Sequence, residues 1–206
     1  MTYLWTHSGA VWAHVLEHVA LVLTALAIAV IVAFPIGAYA ASHVRMSRPL
    51  FGTLAIIYTI PSLALLALLV RYVGLGFWTA VITLVAYAQF VLVRNVASGL
   101  RGVPRAQRDA ARGIGMTPGQ QFWRVQVPLA LPIMLGGVRI ATVSMIAIAT
   151  LASYAAAGGL GVLIFDGLER QYPAETLAGS IPATVLAIGA DLFLRGIERY
   201  ATRYAR

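Results

Sequence analysis

Pro104-Arg-Ala-Gln-Arg-Asp109-Ala-Ala-Arg-Gly-Ile-Gly115-Met-Thr-Pro-Gly-Gln-Gln-Phe-Trp-Arg-Val-Gln-Val-Pro128-Leu-Ala-Leu-Pro132 is the longest polar stretch between the hydrophobic runs of this chain. It is strongly basic and carries helix start and stop signals. Everything on either side of it is greasy. A chain that keeps one soluble-looking segment between apolar runs long enough to cross a bilayer is a membrane protein with a large loop on one face.

Composition supports that reading. The chain has 206 residues, of which 60% are hydrophobic and 11% charged. A soluble domain of this size carries about a quarter charged residues. There is room for one ordinary domain, residues 1–206. No cysteine is present, which removes disulfides, thiol catalysis and thiolate metal sites. All 15 basic residues are arginine. Without a lysine the chain has no Walker A loop of the usual kind, so ATP chemistry would have to come from elsewhere.

Five apolar runs are each read as a helical span, at about residues 17–41, 50–70, 77–93, 129–156 and 177–194. A helix of about 20 residues crosses the roughly 30 Å hydrocarbon layer. Pro35 and Gly37 lie in the second half of the first run. Pro61 lies near the middle of the second, where it favours a break or bend beside Tyr58, Thr59 and Ser62. Residues 1–14 contain Trp5 and Trp12 but no Lys or Arg, which suits a membrane interface and not a signal peptide.

Arginine placement sets the orientation. Five spans leave Arg45, Arg48, Arg94, Arg101, Arg105, Arg108, Arg112, Arg124, Arg139 and the tail residues Arg195, Arg199, Arg203 and Arg206 on one side. Only Arg71 and Arg170 fall on the other, with Asp166, Glu169 and Glu175. The positive-inside rule places the first set in the cytoplasm, giving N-out and C-in. The same topology accounts for the net charge of +8 without nucleic acid.

Within the central segment, Pro104 opens a helix over residues 105–112 that Gly113 and Gly115 end. Thr117-Pro-Gly-Gln120 then reads as a capping box with proline at the first helical position. The expectation is two short helices around a glycine turn, with Phe122 and Trp123 leading into the fourth span. A loop of this length without purpose is uncommon.

The segment resembles the cytoplasmic motif of bacterial ABC importer permeases, Glu-Ala-Ala, three residues, Gly, nine residues, Ile-x-Leu-Pro. Here it is Asp109-Ala110-Ala111, three residues, Gly115, nine residues, Val125-Gln126-Val127-Pro128. Asp replaces Glu and two valines replace Ile and Leu. More of the chain is similar to the glycine betaine/choline/carnitine branch: Thr59-Ile-Pro-Ser-Leu-Ala-Leu-Leu, Arg94-Asn95, Gly113-Ile-Gly-Met-Thr, Trp123-Arg-Val-Gln-Val-Pro and Ala155-Ala-Ala-Gly-Gly-Leu-Gly.

The resemblance implies an all-α type I importer permease in the bacterial inner membrane. Residues of about 101–128 would dock on a separate ATPase, through Asp109, Ala110, Ala111, Gly115, Met116, Thr117, Pro118 and Gly119. It implies that this subunit is no enzyme and binds no cofactor, with ATP and Mg held by the ATPase. A second permease, either a copy or a paralogue, and an extracytoplasmic solute-binding protein complete the set. Methionine-type and other amino-acid permeases share the five-span layout. An ATPase-independent transporter or channel is the competing class.

Four further features have two readings each. Tyr58, Pro61, Ser62 and Tyr87 are candidates for the solute path, with Phe90 and Tyr154 as further aromatics; such aromatics are more often packing or interface-belt residues. His14-Val-Leu-Glu17-His18 matches an inverted zinc-peptidase pattern, but is expected to be a polar helix start with no metal. Asp191, four residues before Arg195, is expected to form a local ion pair. Gly158, Gly159 and Gly161 suit a turn at the outer mouth, either a plain turn or a gate.

Overall fold

The computed structural model describes residues 6–204, with side chains through residue 202. Trp5, Arg206 and the Arg203 side chain lie outside the described part. The described residues form helices and short connections, with no strand among them. In chain order the elements are α1 (Ser8–Ser42), α2 (Val44–Thr59), α3 (Ser62–Val73), α4 (Phe77–Arg101), α5 (Arg105–Gly113), α6 (Pro118–Gln121), α7 (Val127–Ala149), α8 (Leu160–Glu169) and α9 (Pro173–Tyr204). A π-helical turn, Phe122–Gln126, joins α6 to α7, and a 3₁₀ turn, Thr150–Ala155, ends α7. In hydrocarbon each backbone N–H and C=O must be satisfied within the chain, and helices do this segment by segment.

Four helical stretches are long and apolar enough to cross a membrane: Ser8–Ser42, Phe77–Arg101, Pro118–Ala155 and Pro173–Thr202. The fifth expected span is α2 and α3 together, and they meet at 93°. A bend at Pro61 was expected, but this is nearer a corner. Ile60 and Pro61 are both extended, so the helix stops and restarts. The Tyr87 hydroxyl donates to the Ile60 carbonyl from the neighbouring helix, satisfying an acceptor the break releases.

The helices of four expected spans run beyond the expected bounds, the third continuing past residue 93 to Arg101. The first helix begins at Ser8, not near residue 17, because His14, Glu17 and His18 are carried inside it. The fourth span is continuous with the capped segment before it. The fifth runs on through the Arg-rich tail. Pro35 and Pro182 both sit inside unbroken helices.

α4 is the central helix. Leu21, Val22, Ala25, Ala29 and Ala33 form one stripe of α1 against Val81, Leu84, Ala88, Leu92 and Val93 of α4. Ala141, Met145 and Ala149 of α7 close the same core. Alanine at four-residue spacing lets helix backbones come close, which replaces the hydrophobic drive that lipid does not supply. Two contacts are tighter still. A Cβ built on Gly37 would lie 2.5 Å from Val96 Cβ, and one on Gly137 2.5 Å from Asn95 Cβ. Large apolar side chains such as Ile31, Ile56, Leu68 and Phe193 project outward, as a lipid-facing surface requires.

On the Arg-rich half, α7 and α9 are tied by charge. Asp191 pairs with Arg195 at 2.7 Å, as expected from their spacing. Arg139 adds a second layer, reaching Asp191 at 2.9 Å and Glu198 at 3.1 Å from the facing helix.

Candidate functional site

α5 spans one more residue than expected and ends in a full Schellman arrangement. The Met116 amide donates to the Ala111 carbonyl at 3.1 Å and the Gly115 amide to Arg112 at 3.0 Å. Gly115 has φ +81°, the left-handed value this motif needs and the one an L side chain resists. Two residues on, the capping box forms as read from the sequence. The Gln120 amide donates to Thr117 Oγ1 at 3.3 Å, and the Thr117 amide to Gln120 Oε1 at 2.9 Å. The buried Gln121 side chain donates to the Met116 carbonyl at 2.8 Å. The turn between the two helices is therefore held from both ends.

This geometry separates residues that the sequence motif groups together. Ala111 is 4% exposed and faces inward, whereas Ala110 and Asp109 face out. Asp109 lies 4.0 Å from Arg112, a loose pair on an exposed face. A groove of about 470 Å³ runs beside α5, lined by Gln107, Ala110, Ile114, Met116 and Arg124 among others. Ile114 was not singled out, yet it is 74% exposed at the tip of the turn. The signal was present as one large apolar residue flanked by Gly113 and Gly115. Pro118 and Gly119 are exposed in the first turn of α6, and Gly119 has open space around it. Phe34 stacks on Trp123 at 5.7 Å and meets Phe122 edge-on at 6.4 Å, so α1 abuts the start of the fourth span.

Removing the Thr117 hydroxyl tests whether this turn is stiff by design. Thr117→Ala is expected to cost about 0.5–2 kcal/mol locally. Amide exchange over residues 119–121 should rise while the α4 core stays protected.

The aromatic candidates fall into two places. Tyr58 lies 5.8 Å from Tyr87 and 5.0 Å from Phe90, ring centre to ring centre, beside the broken span. Arg94 sits over Phe90 at 5.4 Å. Tyr87 is buried, Tyr58 and Pro61 are exposed, and Ser62 is half-buried. Tyr154 is elsewhere, against Phe165 at 4.5 Å.

At the outer end, the His14–His18 motif holds a turn. Glu17 Oε2 accepts from the Gly159 amide at 2.9 Å and lies 3.0 Å from His14 Nδ1. Gly158 and Gly159 have φ +75° and +82°. His18 turns inward, fully buried, with Nε2 at 3.2 Å from the Ile146 carbonyl. The two histidines thus do not converge on one point. No group of three or more His, Cys, Asp or Glu able to hold a metal ion occurs among the described residues.

Comparison with known proteins agrees with this layout. The family described as binding-protein-dependent transport system inner membrane component matches residues 33–203. The choline transport system permease protein OpuBB of Bacillus subtilis is 37% identical over 97% of this chain and 92% of its own. The glycine betaine/carnitine/choline permease OpuCB of the same organism is 37% identical over 98% and 93%. The osmoprotectant import permease OsmW of Salmonella typhimurium is 32% identical over 95% and 94%. In fold, the chain is similar to the inward-facing MetNI methionine ABC transporter, with TM-score 0.82 at 20% identity over 92% of this chain and 94% of that one. An amino acid ABC transporter gives TM-score 0.78 at 16% identity over 97% of both chains. The chain belongs to the binding-protein-dependent transport system inner membrane components, the permease subunits of ABC importers.

Proposed function

We propose that this permease carries a compatible solute of the glycine betaine, choline or carnitine type into the cell. The observation that carries this reading is the near full-length similarity to permeases named for those solutes, each above 30% identity. The fold neighbours are named for methionine and amino acids, but at 20% identity and below they speak to architecture alone. In this reading the groove beside α5 receives an ATPase subunit, with Asp109, Ala110 and Ile114 toward it. Gly115 through Gly119 set the angle of the turn. Two permeases enclose the path, since one set of five spans leaves little room for a solute.

ATP and Mg act on the ATPase. This chain contributes different contacts to that partner in its two conformations, and only such a difference shifts the balance between them. The test is ATP-driven uptake in proteoliposomes containing the permease, its ATPase and its binding protein. Labelled glycine betaine, choline and carnitine should enter, and methionine should not. Methionine uptake with none of the other three would sink the solute assignment, and solute uptake without the ATPase would sink the importer reading.

Tyr58, Tyr87 and Phe90 offer ring faces where the second span breaks, and a quaternary ammonium group is attracted to such faces. Tyr58 is the exposed member, so Tyr58→Ala should lower uptake by roughly 2- to 30-fold, the range of a cation–π contact. Tyr58→Phe should restore most of it. Equal loss in both variants would assign Tyr58 to packing.

A further inference from the structure

Three arginines converge on one cavity at the Arg-rich face, and no carboxylate among the described residues pairs with any of them. The cavity has a volume of about 480 Å³ and lies where the end of α1 meets the end of α4 and the start of α5. Arg101, Arg105 and Arg108 line it together with Ala41, Leu100 and Phe122. The chain's other described arginine ion pairs, to Asp109, Asp166, Asp191 and Glu198, are made by different residues. Arg101 donates only to backbone, to the carbonyls of Ala40 and Ala41. Arg108 donates through Nη2 to the Val103 carbonyl at 2.7 Å, while its Nε is buried without a hydrogen-bond partner.

A buried guanidinium donor without a partner is costly, and burial without compensation is rare. Three guanidinium groups around one space are also a poor arrangement unless an anion occupies it. The arginine fork matches the oxygens of a phosphate, and basic pockets between membrane helices on the cytoplasmic side suit phospholipid headgroups. Half of this lining is apolar, with Leu100 and Phe122 beside the charges. That mixture suits a group with phosphate at one end and hydrocarbon at the other.

We propose that this cavity binds the phosphate of an anionic phospholipid from the inner leaflet. Arg105 and Arg108 supply the charge, and Arg105, which has no described partner, the guanidinium fork that remains free to bind. The inference is independent of which solute is carried and rests only on the cytoplasmic placement of the Arg-rich face. The site adjoins the first turn of α5, so an occupied cavity would brace the segment that meets the ATPase.

The test uses the permease purified with its ATPase, stripped of lipid and offered phosphatidylglycerol or phosphatidylcholine. Native mass spectrometry reads the retained lipid. Phosphatidylglycerol should be retained preferentially. Arg105→Gln removes a side chain with no described partner, so folding is preserved, and should weaken retention about fivefold, the worth of one basic residue near a membrane surface. Arg108→Lys keeps the charge but lacks the planar fork that matches phosphate oxygens and should weaken it as well. Arg199→Gln, on the exposed tail helix, should not.

Displacement of the lipid by inorganic phosphate would support the phosphate as the recognised group. Binding of inorganic phosphate with no binding of phosphatidylglycerol would overturn the lipid assignment in favour of a free anion. Equal retention of the two lipids, or equal loss in all three variants, would overturn the site. Loss of the ATPase in Arg105→Gln with lipid retention unchanged would reassign these arginines to subunit docking.

Discussion

Ala110→Arg is expected to abolish recovery of the ATPase with the permease and, with it, all ATP-driven uptake. Ala110 faces outward on α5, in the wall of the groove beside Ile114. A methyl group there lets a partner surface approach the helix closely. Arginine would fill that space with a long charged side chain and add charge to an already basic loop. Loss of a hot-spot contact costs about 2 kcal/mol or more, roughly 30-fold in affinity, and a steric block at such a point costs further.

The chain itself should stay folded, because nothing of its own packs over Ala110. Ala111 would be a poor site for the same experiment. It is buried, so bulk there damages α5 before any partner is met. Co-purification of the tagged permease with its ATPase is the measurement, with thermal stability of the permease as the control. Full recovery of the ATPase by Ala110→Arg would remove α5 from the interface.

The second large effect belongs to Gly137. A Cβ there would lie 2.5 Å from Asn95 Cβ and 2.8 Å from its Cγ. The Asn95 Cβ is fixed by the α4 backbone and cannot swing aside. Gly137→Val should therefore force α4 and α7 apart at their closest approach. Overpacking of this kind costs about 1–3 kcal/mol and sometimes more. In a helix bundle held by close approach it should appear as a large fall in folded yield and melting temperature. Gly136→Ala is the matched control. Its added methyl would meet Glu198 Oε1 at 3.5 Å, an ordinary contact at the far end of a side chain. A Gly137→Val protein as stable as Gly136→Ala would show that the helices are not held at this distance.

These two glycines illustrate how far the chain could be read in advance. Side by side they form one small-residue surface, but which of them touches a helix depends on the rotation of α7 against α4. Local signals fared best. Hydropathy located four long apolar helices and the bent pair α2–α3, and Thr117 with Gln120, or Gly115 after α5, specified their turns because each partner lies within a few residues. Long-range partners were not legible. Asp191 announced Arg195 one helical turn away, but Arg139 is 52 residues distant, on another helix. Glu17 looked like a boundary because it is charged; its partner, the Gly159 amide, lies 142 residues on. Pro61 signalled a bend, but its angle depends on Tyr87 reaching across from α4 to take the freed carbonyl. In the central polar segment, spacing named the motif, whereas the inward turn of Ala111 and the exposure of Ile114 follow only from packing.

The continuity of helix from Pro118 to Ala155 has a mechanical consequence. Its 38 residues form a continuous helical stretch, of roughly 57 Å if the α-helical rise of 1.5 Å per residue is taken throughout. One end is seated in the capped turn at Thr117, and the other bonds to the loop before α4 through the Ala155 carbonyl and the Gly76 amide. A rod of that length converts a tilt of about 10° at its base into a sweep of about 10 Å at its tip, by the same helix geometry. The wide turn at Phe122–Gln126 lies near the base, where Phe34 stacks against Trp123. If the ATPase meets the capped turn as proposed, the fulcrum lies close to the driven end, and a short stroke there becomes a long one at the far tip.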